Sequence, residues 1–281
     1  MHESILFLFA WERLPTLVIV VVLFFLISIY MFRARAGQGR QEDTFIRKIS
    51  GLSAIDEAIG RATEMGRGVL YIPGIYDMNE IQTVAGINIL GQVAGKTAEM
   101  GIPLICPVAR PFVMSVAQEV VKQAYLEKGR PDAFRPENIN YLTYDQFGFA
   151  AGAAGQILRE NPGACFFMGS FGGEALILSE TGNSVGAIQI AGTAEINQIP
   201  FFVTSCDYTL IGEELFAASA YLTKNPKEIG CLKGQDASKA IIIAVILLGA
   251  IAATFAQPDF LPDGNPLKII GRSIVMFLGL P

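Results

Sequence analysis

The chain has 281 residues, of which 52% are hydrophobic and 17% charged, with a formal net charge of −5. Soluble domains usually hold about 25% charged residues, so the balance leans towards a membrane protein. An acidic chain is a poor match for the phosphates of nucleic acid, so no nucleic-acid partner is expected.

In chain order, residues 1–13 read as an N-terminal extracytoplasmic segment, in which 4–11 is an apolar interfacial piece with Trp11 in the headgroup belt. Residues 14–32 are an uncharged run of Val, Leu, Ile and Phe. At about 1.5 Å per residue such a run crosses a hydrocarbon core of about 30 Å. Ala34-Arg35-Ala36 resembles a signal cleavage site, but the run is longer than a signal core and its positive charge follows it. It therefore reads as an uncleaved anchor. Residues 33–49 form a basic juxtamembrane linker.

An α/β domain is expected over 50–223. Its first helix, 54–65, follows Ser53. The strand 69–72 stops at Pro73-Gly74, and helical spacing follows over 81–100. Next come strand 103–106 and helix 112–127, strand 139–142 and helix 144–160, then strand 164–168 and helix 173–191, stopping at Gly192. Strand 200–204 and helix 210–221 complete the set. Short continuous apolar strands alternating with helices of 12 or so residues predict an α/β, doubly wound, mostly parallel five-stranded sheet with flanking helices, a Rossmann-like domain. A second basic linker (224–239) leads to a second uncharged run, 240–258, read as a second transmembrane helix. The tail, 259–281, places Leu267, Ile270, Ile274, Phe277 and Leu278 on one helical face and Lys268 and Arg272 on another. That pattern suits a helix lying in the membrane interface, with a re-entrant segment as the other reading.

Orientation follows from the flanks. Arg33, Arg35, Arg40, Arg47 and Lys48 follow the first run, and Lys224, Lys227, Lys233 and Lys239 precede the second. Both basic flanks face the middle segment, so the positive-inside rule places the domain in the cytoplasm of a cell with both termini outside the cytoplasmic (inner) membrane. Besides the bilayer itself, anionic lipids are the expected partners of these flanks. Residues 51–223 hold nine Lys/Arg against eighteen Asp/Glu. Cys106, Cys165, Cys206 and Cys231 show no CxxC spacing, which suits buried thiols in a reducing compartment.

The only histidine is His2, outside the domain, so Ser-His-Asp, Cys-His and histidine-containing zinc sites are excluded from it. The scattered cysteines make a four-cysteine zinc site untenable, and no GxxxxGK[ST] loop occurs. No metal and no cofactor are expected. Open α/β sheets bind ligands at the carboxyl ends of their strands. Those ends hold Asp77 and Asn79, then Arg110, then Tyr144 and Asp145, then Ser170, Gly172, Gly173 and Glu174, and finally Cys206, Asp207 and Tyr208. The ligand-binding candidates are Asp77, Asn79, Arg110, Asp145, Ser170, Gly172, Gly173, Glu174 and Asp207; catalytic residues are unassigned. Asp77, Asn79, Asp145 and Asp207 have capping of the next helix as their plainer role. The 169–173 loop is either an anion cradle or a tight turn, and Glu174 in its first helical turn favours the turn. Arg110 can hold an anion bidentately or pair with Asp77 or Asp145. Cys206 has no cationic sequence neighbour to activate it.

The stretch 49–60 (ISGLSAIDEAIG), Gly192-Thr-Ala-Glu195, residues 206–215 (CDYTLIGEEL) and Leu232-Lys-Gly-Gln-Asp236 resemble a family of uncharacterised prokaryotic membrane proteins. The resemblance runs from about Lys48 through the second span and implies a membrane-attached α/β domain without naming catalytic residues. Three functional expectations follow. Missing catalytic groups and a small-residue helix, Phe149-Ala-Ala-Gly-Ala-Ala-Gly155, point to a self-associating, homo-oligomeric structural or scaffold protein. The alternative is a small anionic ligand or nucleotide-binding sensor or enzyme using the strand-end cleft. A transporter comes third, because neither run carries a charge.

Overall fold

The computed structural model describes residues 14–36, 50–223, 225–256 and Ile269. His2, the 4–11 piece, the 37–49 part of the first linker and the amphipathic tail helix lie outside the described residues. The chain divides into two compact units, Ile46–Lys224 and the segments that flank it.

The flanking unit holds α1 (Leu14–Ala36) and α9 (Pro226–Ala256). Both are long and apolar enough to cross a membrane. They pack antiparallel through small residues. A Cβ added at Gly230 would stand 2.9 Å from Met31 Cα, and one at Gly234 would stand 2.9 Å from Ile27 Cα. Gly230-Cys-Leu-Lys-Gly234 is thus a GxxxG contact that brings the two backbones together. Ser238 continues this buried stripe, its hydroxyl returned to Gly234 O at 2.7 Å. Residues 226–239, expected as a linker, are therefore the first half of α9.

The middle unit contains α2 (Ser50–Glu64), β1 (Val69–Ile72), α3 (Ile81–Met100), β2 (Leu104–Val108), α4 (Pro111–Glu127), β3 (Ile139–Tyr141), α5 (Gln146–Glu160), β4 (Ala164–Met168), α6 (Glu174–Ser184), β5 (Ile188–Thr193), α7 (Ile199–Ser205), β6 (Tyr208–Ile211) and α8 (Glu213–Thr223). The fold is α/β, as expected, but its parallel sheet has six strands in the order β3-β2-β1-β4-β5-β6. That order reverses between β1 and β4, as in the doubly wound sheets of dinucleotide-binding proteins.

The count differs from five because of one region. Residues 200–204 are helix, not strand. Pro200 fits a first helical turn, where its missing N–H is not needed, and the hydroxyls of Thr204 and Ser205 bond back to Pro200 O and Phe201 O. The helix expected to run to Ala191 ends at Ser184, and Gly186 (φ 70°) turns the chain into β5. β6 likewise takes 208–211, so the last helix begins at Glu213 instead of Leu210.

Strand alternation divides the core in two. Val69, Tyr71, Ala164, Phe166 and Met168 face α2, α3, α4 and α8; Leu70, Ile72, Cys165 and Phe167 face α5, α6 and α7. Phe167 stacks on Phe202 with centroids 5.9 Å apart, and Phe171 meets Phe202 edge-on at 5.2 Å. Each such fully buried ring contributes ~1.5–3 kcal/mol over an exposed one. The two-sided cover is what permits a parallel sheet of continuous apolar strands.

Candidate functional site

The switch point between β1 and β4 is where a sheet of this order opens its crevice. Here two glycines close it. Gly74 (φ 83°) and Gly169 (φ 145°) occupy backbone conformations that other residues rarely adopt. A Cβ on Gly74 would stand 2.5 Å from Ser170 O, and one on Gly169 would stand 2.6 Å from Pro73 O. Ile75 N donates to Ser170 O at 3.0 Å, so the two loops continue the β1–β4 pairing beyond the strands. Over them lies α3: a Cβ on Gly86 would stand 2.2 Å from Met168 O, and the Tyr71 hydroxyl donates to Gly86 O.

Two side-chain networks fill the remaining space. In the first, Ser170, only 2% exposed, donates to Glu195 Oε1 at 2.9 Å. Gln82, in the first turn of α3, donates to the same oxygen at 3.0 Å and accepts from Ala194 N at 2.7 Å and Thr193 Oγ1 at 3.3 Å. A carboxylate thus sits in the crevice beside the start of α3, where a phosphate group would be held in a dinucleotide site. In the second, Glu174 is fully buried and accepts from Gly172 N at 2.7 Å and from Gln146 Nε2 at 2.6 Å. The loop glycines serve this turn: a Cβ at Gly172 would stand 2.5 Å from Gln146 Nε2, and Gly173 takes the N-cap position without a side-chain bond. The amide that an anion cradle needs is already bound by Glu174.

The other candidates divide. Arg110 Nε donates to Ile75 O at 3.0 Å, and its guanidinium lies 4.9 Å from the Tyr144 ring centroid. It ties the β1 and β3 loops together, and the ion pair with Asp77 or Asp145 does not form. Asp145 caps α5 by accepting from Gly148 N at 2.6 Å. Asp77 is exposed and accepts from Met78 N at 2.8 Å within a turn; α3 itself starts after Glu80, so neither Asp77 nor the exposed Asn79 is its cap. Asp207 leaves the group altogether. It precedes β6, exchanging bonds with the main chain of Gln189 at 2.8 and 3.0 Å, at the amino edge of the sheet. Cys206 and Tyr208 go with it, because 199–205 is a helix. Burial pushes the Cys206 thiol up to about 12, which leaves it unreactive at neutral pH.

Gln82, Thr193 and Glu195 were not among the candidates from sequence. The helix expected to reach Ala191 hid the end of β5, although Gly192-Thr-Ala-Glu195 stood out in the sequence. Around the closed crevice the rim is apolar. Tyr76, Ile81, Phe112, Tyr144, Phe147 and Ile196 are all exposed, with Phe112 at 61%, Phe147 at 62% and Ile196 at 81%. They follow β1, β2, β3 and β5, and the Arg110 and Gln82 bonds hold those loops side by side.

A family model described as a domain of unknown function (DUF6754) matches residues 5–261. No curated protein and no solved structure matches the chain.

Proposed function

The chain belongs to that family of unknown function, and we propose that it is a membrane-anchored, self-associating scaffold of a prokaryotic cell membrane, with its α/β domain acting as an assembly module in the cytoplasm. One observation carries the reading: where a doubly wound sheet would receive a ligand, the crevice is filled by the protein's own backbone and carboxylates, and exposed aromatic and aliphatic side chains surround it. Soluble surfaces rarely leave such residues grouped unless another protein or a membrane covers them. Phe112, Tyr144 and Phe147 around an arginine match the composition of interface anchors. The two apolar helices support anchoring, and the basic residues on the domain side of each support a cytoplasmic domain with termini outside, its flanks on anionic lipid.

Light scattering of the full chain in detergent tests this directly. The expected mass is that of a multimer, and Phe112→Asp with Phe147→Asp shifts it towards the monomer while leaving the circular dichroism intact. A monomeric wild-type protein at micromolar concentration overturns the proposal. The reading as a binder of small anions or nucleotides retains only the terminal guanidinium nitrogens of Arg110 in its favour. Nucleotides and inorganic phosphate should then leave the thermal midpoint unchanged.

A further inference from the structure

A second cleft lies at the opposite, amino edge of the sheet. It has a volume of about 300 Å³ and is bounded by the end of α3, the face of α4 and the segment joining α4 to β3. At ~30 Å³ per water, it has room for about ten non-hydrogen atoms. Val121 and Phe134 are among its apolar walls; Thr97, Tyr125, Arg135 and Asn138 bring polar groups into it. The walls are held in place by the protein's own contacts. Phe134 packs edge-on against Tyr125 at 6.2 Å, and Gln118 Nε2 pins the connecting segment through Pro136 O at 3.2 Å and Ile139 O at 3.1 Å. Thr97 is fully buried, its hydroxyl donating to Ala94 O at 3.0 Å, and Tyr125 is nearly so.

The charges around this cleft set it apart. Of the nine Lys and Arg residues in 51–223, five sit in ion pairs with carboxylates. Arg67 and Arg110 donate to main-chain carbonyls. Arg130 and Arg135 alone have neither kind of partner among the described residues, and both flank this one cleft. Arg135 lines it, and the Arg130 guanidinium stands 3.9 Å from where a Cβ on Gly101, another wall residue, would lie. In a domain carrying twice as many acids as bases, two unpaired arginines beside a cleft of mixed polar and apolar walls make a site for a negative group on a partly apolar body. The ends of α3 and α4 point their carbonyl termini towards this edge, which disfavours negative charge there, so the two arginines offset them for one charge more readily than for two. We infer that the cleft binds a small monoanionic amphiphile, a carboxylate on an aromatic or short branched body, with Arg130 and Arg135 at the carboxylate and the Tyr125–Phe134 wall against the apolar part.

The site is independent of the apolar rim, so its test does not depend on assembly. Isothermal titration of the full chain in detergent, with 3-phenylpropanoate, 3-phenylpropanamide and inorganic phosphate, reads it. The acid should bind, the amide and phosphate on the order of tenfold more weakly, a difference that one charge-assisted contact supplies. Arg135→Gln with Arg130→Gln should reduce acid binding to the level of the amide. Ala133→Trp, which fills the cleft from a half-buried position, should abolish it. Amide binding equal to acid binding, acid binding unchanged in the double arginine variant, or no acid binding at millimolar concentration each overturn the assignment. Both arginines are exposed, so their variants keep the fold, and circular dichroism confirms it.

Discussion

Glu174 shows how a residue that looks functional in sequence becomes structural in the fold. A glycine pair followed by an acid reads as a cradle or a turn, with the acid favouring the turn, and the position of Gln146, on another helix, shows what the acid binds. Glu174→Leu removes the buried acceptor of two half-buried donors and should cost about 1–3 kcal/mol, with Glu174→Gln recovering part of that. Thermal unfolding followed by circular dichroism measures it, since the single tryptophan, Trp11, lies outside the domain. An unchanged midpoint for Glu174→Leu would remove this network from the fold's support. The buried thiols carry a pH signature. Burial raises Cys106, Cys165 and Cys206 well above the ordinary thiol value, and Tyr71 is raised by the same cause. The folded state holds these protons while the unfolded chain releases its thiol protons from about pH 8.5. Their contribution is therefore complete below that pH and declines as pH rises above it. The unfolding midpoint should fall between pH 8.5 and 10.5 (roughly the span between unfolded thiol and phenol values), and less steeply in Cys106→Ala/Cys165→Ala.

At the scale of elements, helices α3, α4 and α5 and strands β1 to β4 were legible because their apolar periodicity and their Gly, Pro and Asp boundaries agree. The region 185–211 was not. Ile188, Ile190 and Ala191 extend the helical spacing of α6, and the turn at Gly186 leaves no stronger mark than Gly182, which stays helical against Gln189. The 200–204 run is apolar and short, and length is the only arbiter that sequence offers for such a run. Once β5 is placed, Glu195 arrives at the crevice and Asp207 departs from it. One candidate, Asp207, and three missed residues, Gln82, Thr193 and Glu195, thus turned on the assignment of this region. The α1–α9 pairing was equally hidden, since charged residues in 226–239 suggested a linker and the GxxxG spacing acquires meaning only against a partner helix. Gly234→Ile should weaken the α1–α9 pairing, because a Cβ there would stand 2.9 Å from Ile27 Cα. An unchanged thermal midpoint of the full chain in detergent would place the helices in another register.

For the whole molecule, two long apolar runs and an acidic domain between basic flanks were plain from composition, whereas strand order depends on crossovers that no local pattern records. If the domain faces the cytoplasm, a single cysteine at exposed Glu137 in a cysteine-free chain should react in intact cells with a membrane-permeant maleimide and resist an impermeant one. The opposite pattern reverses the topology. The glycine contacts of α9 add a constraint on the membrane itself. Because Gly234 meets Ile27 and Gly230 meets Met31 in antiparallel helices, Lys239 falls level with about Val22, in the middle of the apolar run of α1. The centres of the two apolar runs are then displaced by about 16 Å along the helix axis at 1.5 Å per residue. A hydrocarbon slab about 30 Å thick cannot immerse both. If the slab follows α1, the Asp236–Lys239 pair, 3.9 Å apart, is carried below the headgroups. If it follows α9, the exposed rings of Phe24, Phe25 and Phe32 stand clear of the lipid. If the helix pair spans a bilayer, as proposed, it sets a step in hydrophobic thickness, which the bilayer would meet by thinning around it or by leaving one face of α1 for neighbouring copies to cover.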